Sequence, residues 1–217
     1  MKSGNSKKNT QSNWIVEGKR FLTDVELRKL LETASRFKDR AIRKGLKTPV
    51  KDWFLICVAA ETGMRIQEIT NLKCGDIQHK LGRGVVIVRK GKGGKPREIY
   101  VRKHFMHRAR EYFQWKQDQG ENIDAFAPVF SFNGKKMNKR SLQRSYDRTR
   151  NRAQITQDKG VGIHSIRHTY ATFLLEASNG NLRMVQNQLG HSSIQTTEVY
   201  THVLDEQIHR ALDKLYA

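Results

Sequence analysis

The stretch "TPVKDWFLICVAAETGMR", residues 48–65, sets the first condition on any fold this chain can adopt. Its run Trp53–Ala60 is the longest apolar segment in the sequence. It is of core-helix length, well short of the roughly 18 apolar residues that cross a bilayer. A helix is therefore expected here, with Thr48 as its N-cap and Pro49 at its first position. Gly63 marks its break, and Ile66, Ile69 and Leu72 supply a buried stripe just beyond.

Helical periodicity recurs on both sides of this run. Ahead of it, "RFLTDVELRKLLETA" places Thr23 and Glu26 at capping-box spacing, with Leu22 and Leu27 where a hydrophobic staple would sit. Beyond it, helices are predicted in "HFMHRAREYFQWKQ", "NKRSLQRSYDRTRNRA", "GIHSIRHTYATFLLEAS", "NLRMVQNQLG", around Tyr200 and in "DEQIHRALDKLY". The two convincing strands are "GVVIVR" and "REIYVR", rich in β-branched residues and joined by the glycine-rich "KGKGGKP". The expected fold class is mainly α with a small antiparallel β-sheet. Residues 1–19 read as a flexible basic tail and 20–217 as one domain, with no internal repeat.

Charge narrows the class of partner. The 217 residues carry 41 Lys and Arg against 21 Asp and Glu, a formal net charge of +20. Such an excess costs self-repulsion, which a polyanion offsets, so nucleic acid is the first expectation. A membrane role is not expected, since there is neither a spanning segment nor a signal peptide behind "MKSGNSKKNTQSN". Cys57 and Cys74 make no metal-like pair, and a reducing, cytoplasmic location fits them.

Four short segments carry residues with chemistry. Arg65 precedes Glu68 by three positions, so on a helix the carboxylate can orient the guanidinium. Lys92 lies in the loop between the two strands, where glycines permit close approach to a phosphate; Lys90 and Lys95 share that loop. In "HSIRH", His164 and Arg167 project from one helical face. His168 invites a zinc reading, but no acid lies between the histidines and no cysteine ligand is near, so no metal is expected. In "LGHSSIQTTEVY", His191 and Tyr200 are nine residues apart. Taken singly, each is an ordinary surface or structural residue. Together they form a metal-free kit for cleaving a phosphodiester. Two guanidiniums clamp non-bridging oxygens and stabilise transition-state charge. A lysine protonates the departing alkoxide, a histidine handles the phenol proton, and the tyrosine attacks phosphorus.

The order and spacing of these segments resemble the tyrosine recombinase (phage integrase) family, from about Phe21 to Tyr200. "ETGMRIQEITNLKCGDI" is similar to the first arginine box, "VVIVRKGKGGKPREIYV" to the β-hairpin with its lysine, "IHSIRHTYAT" to the His-x-x-Arg box and "LGHSSIQTTEVYTHV" to the final tyrosine box. The resemblance implies the catalytic-domain fold of these DNA breaking-rejoining enzymes. It implies catalytic roles for Arg65, Lys92, His164, Arg167, His191 and Tyr200, and a 3′-phosphotyrosine intermediate formed without cofactor. It also implies double-stranded DNA as partner and a homo-tetramer on two paired sites. Among the basic residues of one helix, Lys139, Arg140, Arg144 and Arg148 are candidate DNA contacts, most of them to phosphates.

The N-terminal core-binding domain common in the family is expected to be absent, because the first helix of the domain begins near Leu22. Val203, Leu204, Ile208, Leu212 and Leu215 give the segment after Tyr200 an apolar face that could pack on its own domain or on a neighbouring protomer. Two other readings stay open at this point. One is a relaxing enzyme similar to type IB topoisomerases. The other is a DNA-binding regulator without the reaction.

Overall fold

Helix α2 (Thr48–Thr62) is the axis of the molecule, and every residue from Pro49 to Ala59 on it is buried. The computed structural model describes residues 21–91, 94–156 and 162–190. Around α2 pack α1 (Asp24–Arg43), α4 (Lys103–Asp118), α5 (Lys139–Arg152) and α6 (His164–Ala177). The core at its centre is aromatic. Phe54 of α2 stacks on Tyr112 of α4 with ring centroids 4.2 Å apart, and Phe105, Phe113 and Phe130 surround the pair. Tyr112 keeps its hydroxyl satisfied by donating to the Val129 carbonyl at 3.1 Å. Cys57 sits in this core as a small hydrophobe, its thiol pushed up to about 12 by burial.

Helix α1 starts as its sequence requires. Thr23 accepts from the Glu26 amide and Glu26 returns a bond to the Thr23 amide, so the capping box is closed. The residue before the cap, Leu22, is buried and paired with α6: its amide donates to Thr169 Oγ1, which donates back to the Leu22 carbonyl. The start of α2 differs from expectation. Lys47 is the N-cap, with no side-chain cap bond, and Thr48 and Pro49 are already helical. Proline still occupies the first turn, where its missing N–H is harmless.

Beyond α2 the chain turns at Gly63 (φ 58°) into α3 (Ile66–Thr70), whose Ile66 and Ile69, with Leu72 after it, are buried. The sheet has three antiparallel strands in the order β1 (Ile77–Lys80), β2 (Arg83–Val88), β3 (Arg97–Val101). The register sets Val86 opposite both Ile77 and Ile99. The β2–β3 hairpin was readable in the sequence; β1 was not. Three of its four residues are exposed and only Ile77 is buried, so it shows no alternating pattern. What makes it a strand is the turn at Leu81 (φ 50°) and Gly82 (φ 74°), two positive-φ residues that match the twist of a two-residue hairpin. A second short hairpin, β4 (Ser131–Phe132) and β5 (Lys135–Lys136), turns on Asn133 and Gly134 in the same way.

A buried polar cluster ties this second hairpin to the core. Lys51 Nζ donates to Glu121 Oε1 and to the Ser131 carbonyl, both at 2.6 Å. Lys116, also buried, donates to the Pro128 and Val129 carbonyls and to Ser131 Oγ. Burial lowers the Lys116 ammonium below its usual value, while burial of Glu121 is outweighed by Lys51, which holds that carboxyl down. Helix α7 (Leu182–Leu189) follows α6 and closes a smaller apolar cluster of Ala171, Leu175, Val185 and Leu189. The basic tail 1–19, Lys92, His191, Tyr200 and the two helices expected after Gly190 lie outside the described residues.

Candidate active site

Three of the six expected catalytic positions are described, and the fold gathers them. Arg65 is the N-cap of α3, in extended conformation just after the turn that ends α2. Its amide donates to Glu68 Oε2 at 2.9 Å and its Nη1 to Glu68 Oε1 at 3.2 Å. Glu68 is buried, while the Arg65 side chain keeps 27% of its surface exposed. The carboxylate therefore holds the guanidinium from behind and leaves it partly open to solvent.

His164 and Arg167 come from the first turn of α6. Arg167 is buried, and its guanidinium bridges two helix ends: Nη1 donates to the Gly63 carbonyl at 2.6 Å and Nη2 to the Leu189 carbonyl at 2.9 Å. Each acceptor belongs to the last turn or cap of a helix, where carbonyls lack intrahelical partners. His164 is exposed. Desolvation lowers its imidazole below the usual value, and the charges of Lys139, Arg167 and Arg65 lower it further. Those three positive charges disfavour protonation of the imidazole and favour its neutral form.

Gly63 is the pivot of the junction. A Cβ there would lie 2.5 Å from Tyr170 Cδ1 and 2.8 Å from Leu189 Cδ2, and the positive φ disfavours any side chain. Tyr170 fills that space, its phenol pushed up to about 12, chiefly by burial. It is a packing residue.

One arginine at this centre was not singled out in the sequence. Arg97, the first residue of β3, forks onto Glu68 with Nη1 to Oε1 at 2.8 Å and Nη2 to Oε2 at 2.9 Å. Its Nε donates to the Gln188 carbonyl at 3.2 Å. Glu68 is thus held more closely by Arg97 than by Arg65. Burial raises the Glu68 carboxyl, but the bonds and charge of Arg97 and Arg65 outweigh it and keep the group below its ordinary value.

The four candidate DNA contacts on α5 divide. Lys139, Arg140 and Arg144 are exposed. Arg148 is instead committed to the buried Asp52, with Nη2 to Oδ1 at 2.7 Å and Nε to Oδ2 at 3.1 Å. Its guanidinium pairs α5 with α2, while 39% of the side chain stays exposed. Among the described residues no group of three or more His, Cys, Asp or Glu is placed to hold a metal ion, and no helix is long and apolar enough to cross a membrane.

A mostly helical domain with a three-stranded sheet, two arginines and a histidine at one junction defines a class known from other proteins. The profile of the phage integrase family matches residues 20–207, and the chain belongs to that family, the tyrosine recombinases. It is 28% identical over 193 residues to the tyrosine recombinase XerA of Pyrococcus furiosus, covering 89% of this chain and 60% of that protein. It is 37% identical over 150 residues to the tyrosine recombinase XerC of Corynebacterium efficiens, covering 69% of this chain and 46% of the relative. Its fold matches the XerH site-specific recombinase in a post-cleavage complex with a palindromic difH substrate, with a TM-score of 0.69 and 25% identity over 91% of this chain and 53% of that one. The chain thus spans about half to three-fifths of the curated relatives it matches.

Proposed function

We propose that this chain carries the strand-cleaving and strand-joining centre of a site-specific DNA recombinase. The observation that carries the reading is the convergence of Arg65, His164 and Arg167 on one junction, in the order that the family places its catalytic boxes. Tyr200 attacks a scissile phosphate in double-stranded DNA. The bond to the 5′ oxygen breaks, and the departing alkoxide takes a proton from Lys92. The products are a 3′-phosphotyrosine and a free 5′-hydroxyl. Neutral His164 is the acceptor for the phenol proton, His191 donates to the phosphate, and Arg65 and Arg167 stabilise the charge that builds on the non-bridging oxygens. A 5′-hydroxyl from a partner strand then reverses the step on the new end, so the bond energy is conserved and no nucleotide cofactor is consumed. The working assembly is a homo-tetramer on two paired sites, acting in the cytoplasm and on the nucleoid. Lys139, Arg140 and Arg144 contact its DNA.

The test is a nicked suicide duplex bearing a site selected from a random DNA pool. The wild-type chain should form a denaturation-resistant protein–DNA adduct. Tyr200→Phe should bind the duplex and form none. No adduct from the wild type, or an unchanged yield from the variant, overturns the reading.

A further inference from the structure

We infer that Arg97 is a positioning residue for strand transfer: its guanidinium neutralises and fixes Glu68, and through Glu68 the Arg65 guanidinium, against the C-terminal end of α7. The inference rests on the strand-transfer reading above.

The geometry around Glu68 divides its oxygens evenly. Oε1 accepts from Arg97 Nη1 and Arg65 Nη1, and Oε2 from Arg97 Nη2 and the Arg65 amide. A carboxylate offers about four lone-pair sites, so the set is complete. The two arginines use it differently. Arg97 makes the fork of two near-parallel bonds that is the strong form of this pair. Arg65 makes one longer side-chain bond. Arg97 is thus the principal counter-charge to Glu68. Without it, Glu68 would be a buried anion with one cationic partner, Arg65, and would compete with a phosphate for that guanidinium.

The seat of Arg97 is also built for it. Its side chain is only 10% exposed. A Cβ at Gly190 would lie 2.8 Å from Arg97 Cδ, and one at Gly91 would lie 3.1 Å from Arg97 Nη1. Two glycines therefore open the space that the guanidinium fills. In the chain they immediately precede Lys92 and His191. With its Nε on the Gln188 carbonyl, one side chain joins α3, the β2–β3 loop and the end of α7. A buried ion pair is by itself weak evidence for stability. Here the same three contacts join segments that each lead to an expected catalytic position, which gives the pair a use in holding them in register.

The experiment measures single-turnover cleavage of the nicked suicide duplex at saturating DNA, with Kd measured separately and folding checked by circular dichroism. Arg97→Met should lower the cleavage rate about tenfold to a hundredfold, the scale of a misplaced catalytic group, with Kd near the wild-type value. Arg97→Lys keeps the charge but not the fork and should recover part of the rate; it also serves if Arg97→Met fails to fold. Adding Arg97→Met to Glu68→Gln should slow that variant little further, because the charge Arg97 manages is gone. A wild-type rate in both Arg97 variants, or fully additive losses with Glu68→Gln, overturns the inference and leaves the strand-transfer reading standing. Absence of cleavage by the wild type overturns that reading instead.

Discussion

Arg167 and Gly63 are 104 positions apart in the chain, yet Arg167 Nη1 lies 2.6 Å from the Gly63 carbonyl oxygen. Arg167 is therefore anchored on the residue that caps α2, two residues before Arg65. The turn that presents one arginine is held by the other. The two should differ when removed. Arg167→Ala leaves the Gly63 and Leu189 carbonyls without their guanidinium donor, at about 1–3 kcal/mol for each unsatisfied buried acceptor. It should lower both cleavage, by several orders of magnitude, and the urea midpoint. Arg65→Ala should abolish cleavage to a similar degree with a smaller loss of stability, since its side chain is partly exposed and its backbone bond to Glu68 survives. Equal losses of stability would contradict this division.

Gly63→Ala tests the pivot itself. The residue must hold a left-handed φ, which costs a non-glycine residue about 1–2 kcal/mol, and its Cβ would press on Tyr170 and Leu189. Overpacking of this kind adds about 1–3 kcal/mol. A fall of that combined size in unfolding free energy is expected, and a change no larger than about 1–2 kcal/mol, the left-handed strain alone, would show that the packing around Gly63 relaxes freely.

The Glu68 carboxyl gives a pH signature. Its folded value lies below the unperturbed 4.5, so the unfolded chain binds the proton more tightly. The stabilisation from its arginine bonds is present in full above that unperturbed value and is lost as pH falls through the lower, folded value. Unfolding curves from pH 6 to pH 2 should show this loss in the wild type and a shallower dependence in Glu68→Gln. Superimposable pH profiles would mean that Glu68 titrates normally.

Much of this arrangement was legible in the chain. The Thr23–Glu26 box, the Gly63 break and the β2–β3 hairpin are local, and local chemistry decides them. His164 and Arg167 share a face because helical geometry requires it. What stayed hidden depends on partners distant in sequence. Arg97 reads as one more cation at the start of a strand until Glu68, 29 residues earlier, is seen against it. Arg148 reads as a helix-face charge until Asp52 is found beneath it. Strand β1 has no pattern of its own and is defined by its neighbour. The Asn133–Gly134 pair, by contrast, is a short-range hairpin signal that the sequence did carry, masked by flanking strands of two residues each.

The division on α5 has a measurable consequence. Removing a phosphate contact should reduce the slope of log K against log salt by about 1. That is expected for Arg140→Ala and Arg144→Ala, with little change in stability. Arg148→Ala should leave the slope alone and destabilise the fold, because the Asp52 carboxylate, 2% exposed, loses its bidentate partner. A reduced salt slope for Arg148→Ala at unchanged stability would place that residue on DNA.

The chemistry of cleavage turns on one oxygen atom, the phenol oxygen of Tyr200. The trapped adduct can be digested with nuclease and protease and its modified peptide sequenced by mass spectrometry. The expected result is a nucleotide joined through its 3′-phosphate to Tyr200, with none on the Tyr200→Phe chain. A nucleotide on any other residue, or linkage through a 5′-phosphate, would rule out attack by the Tyr200 phenol on the 3′ side of the scissile phosphate.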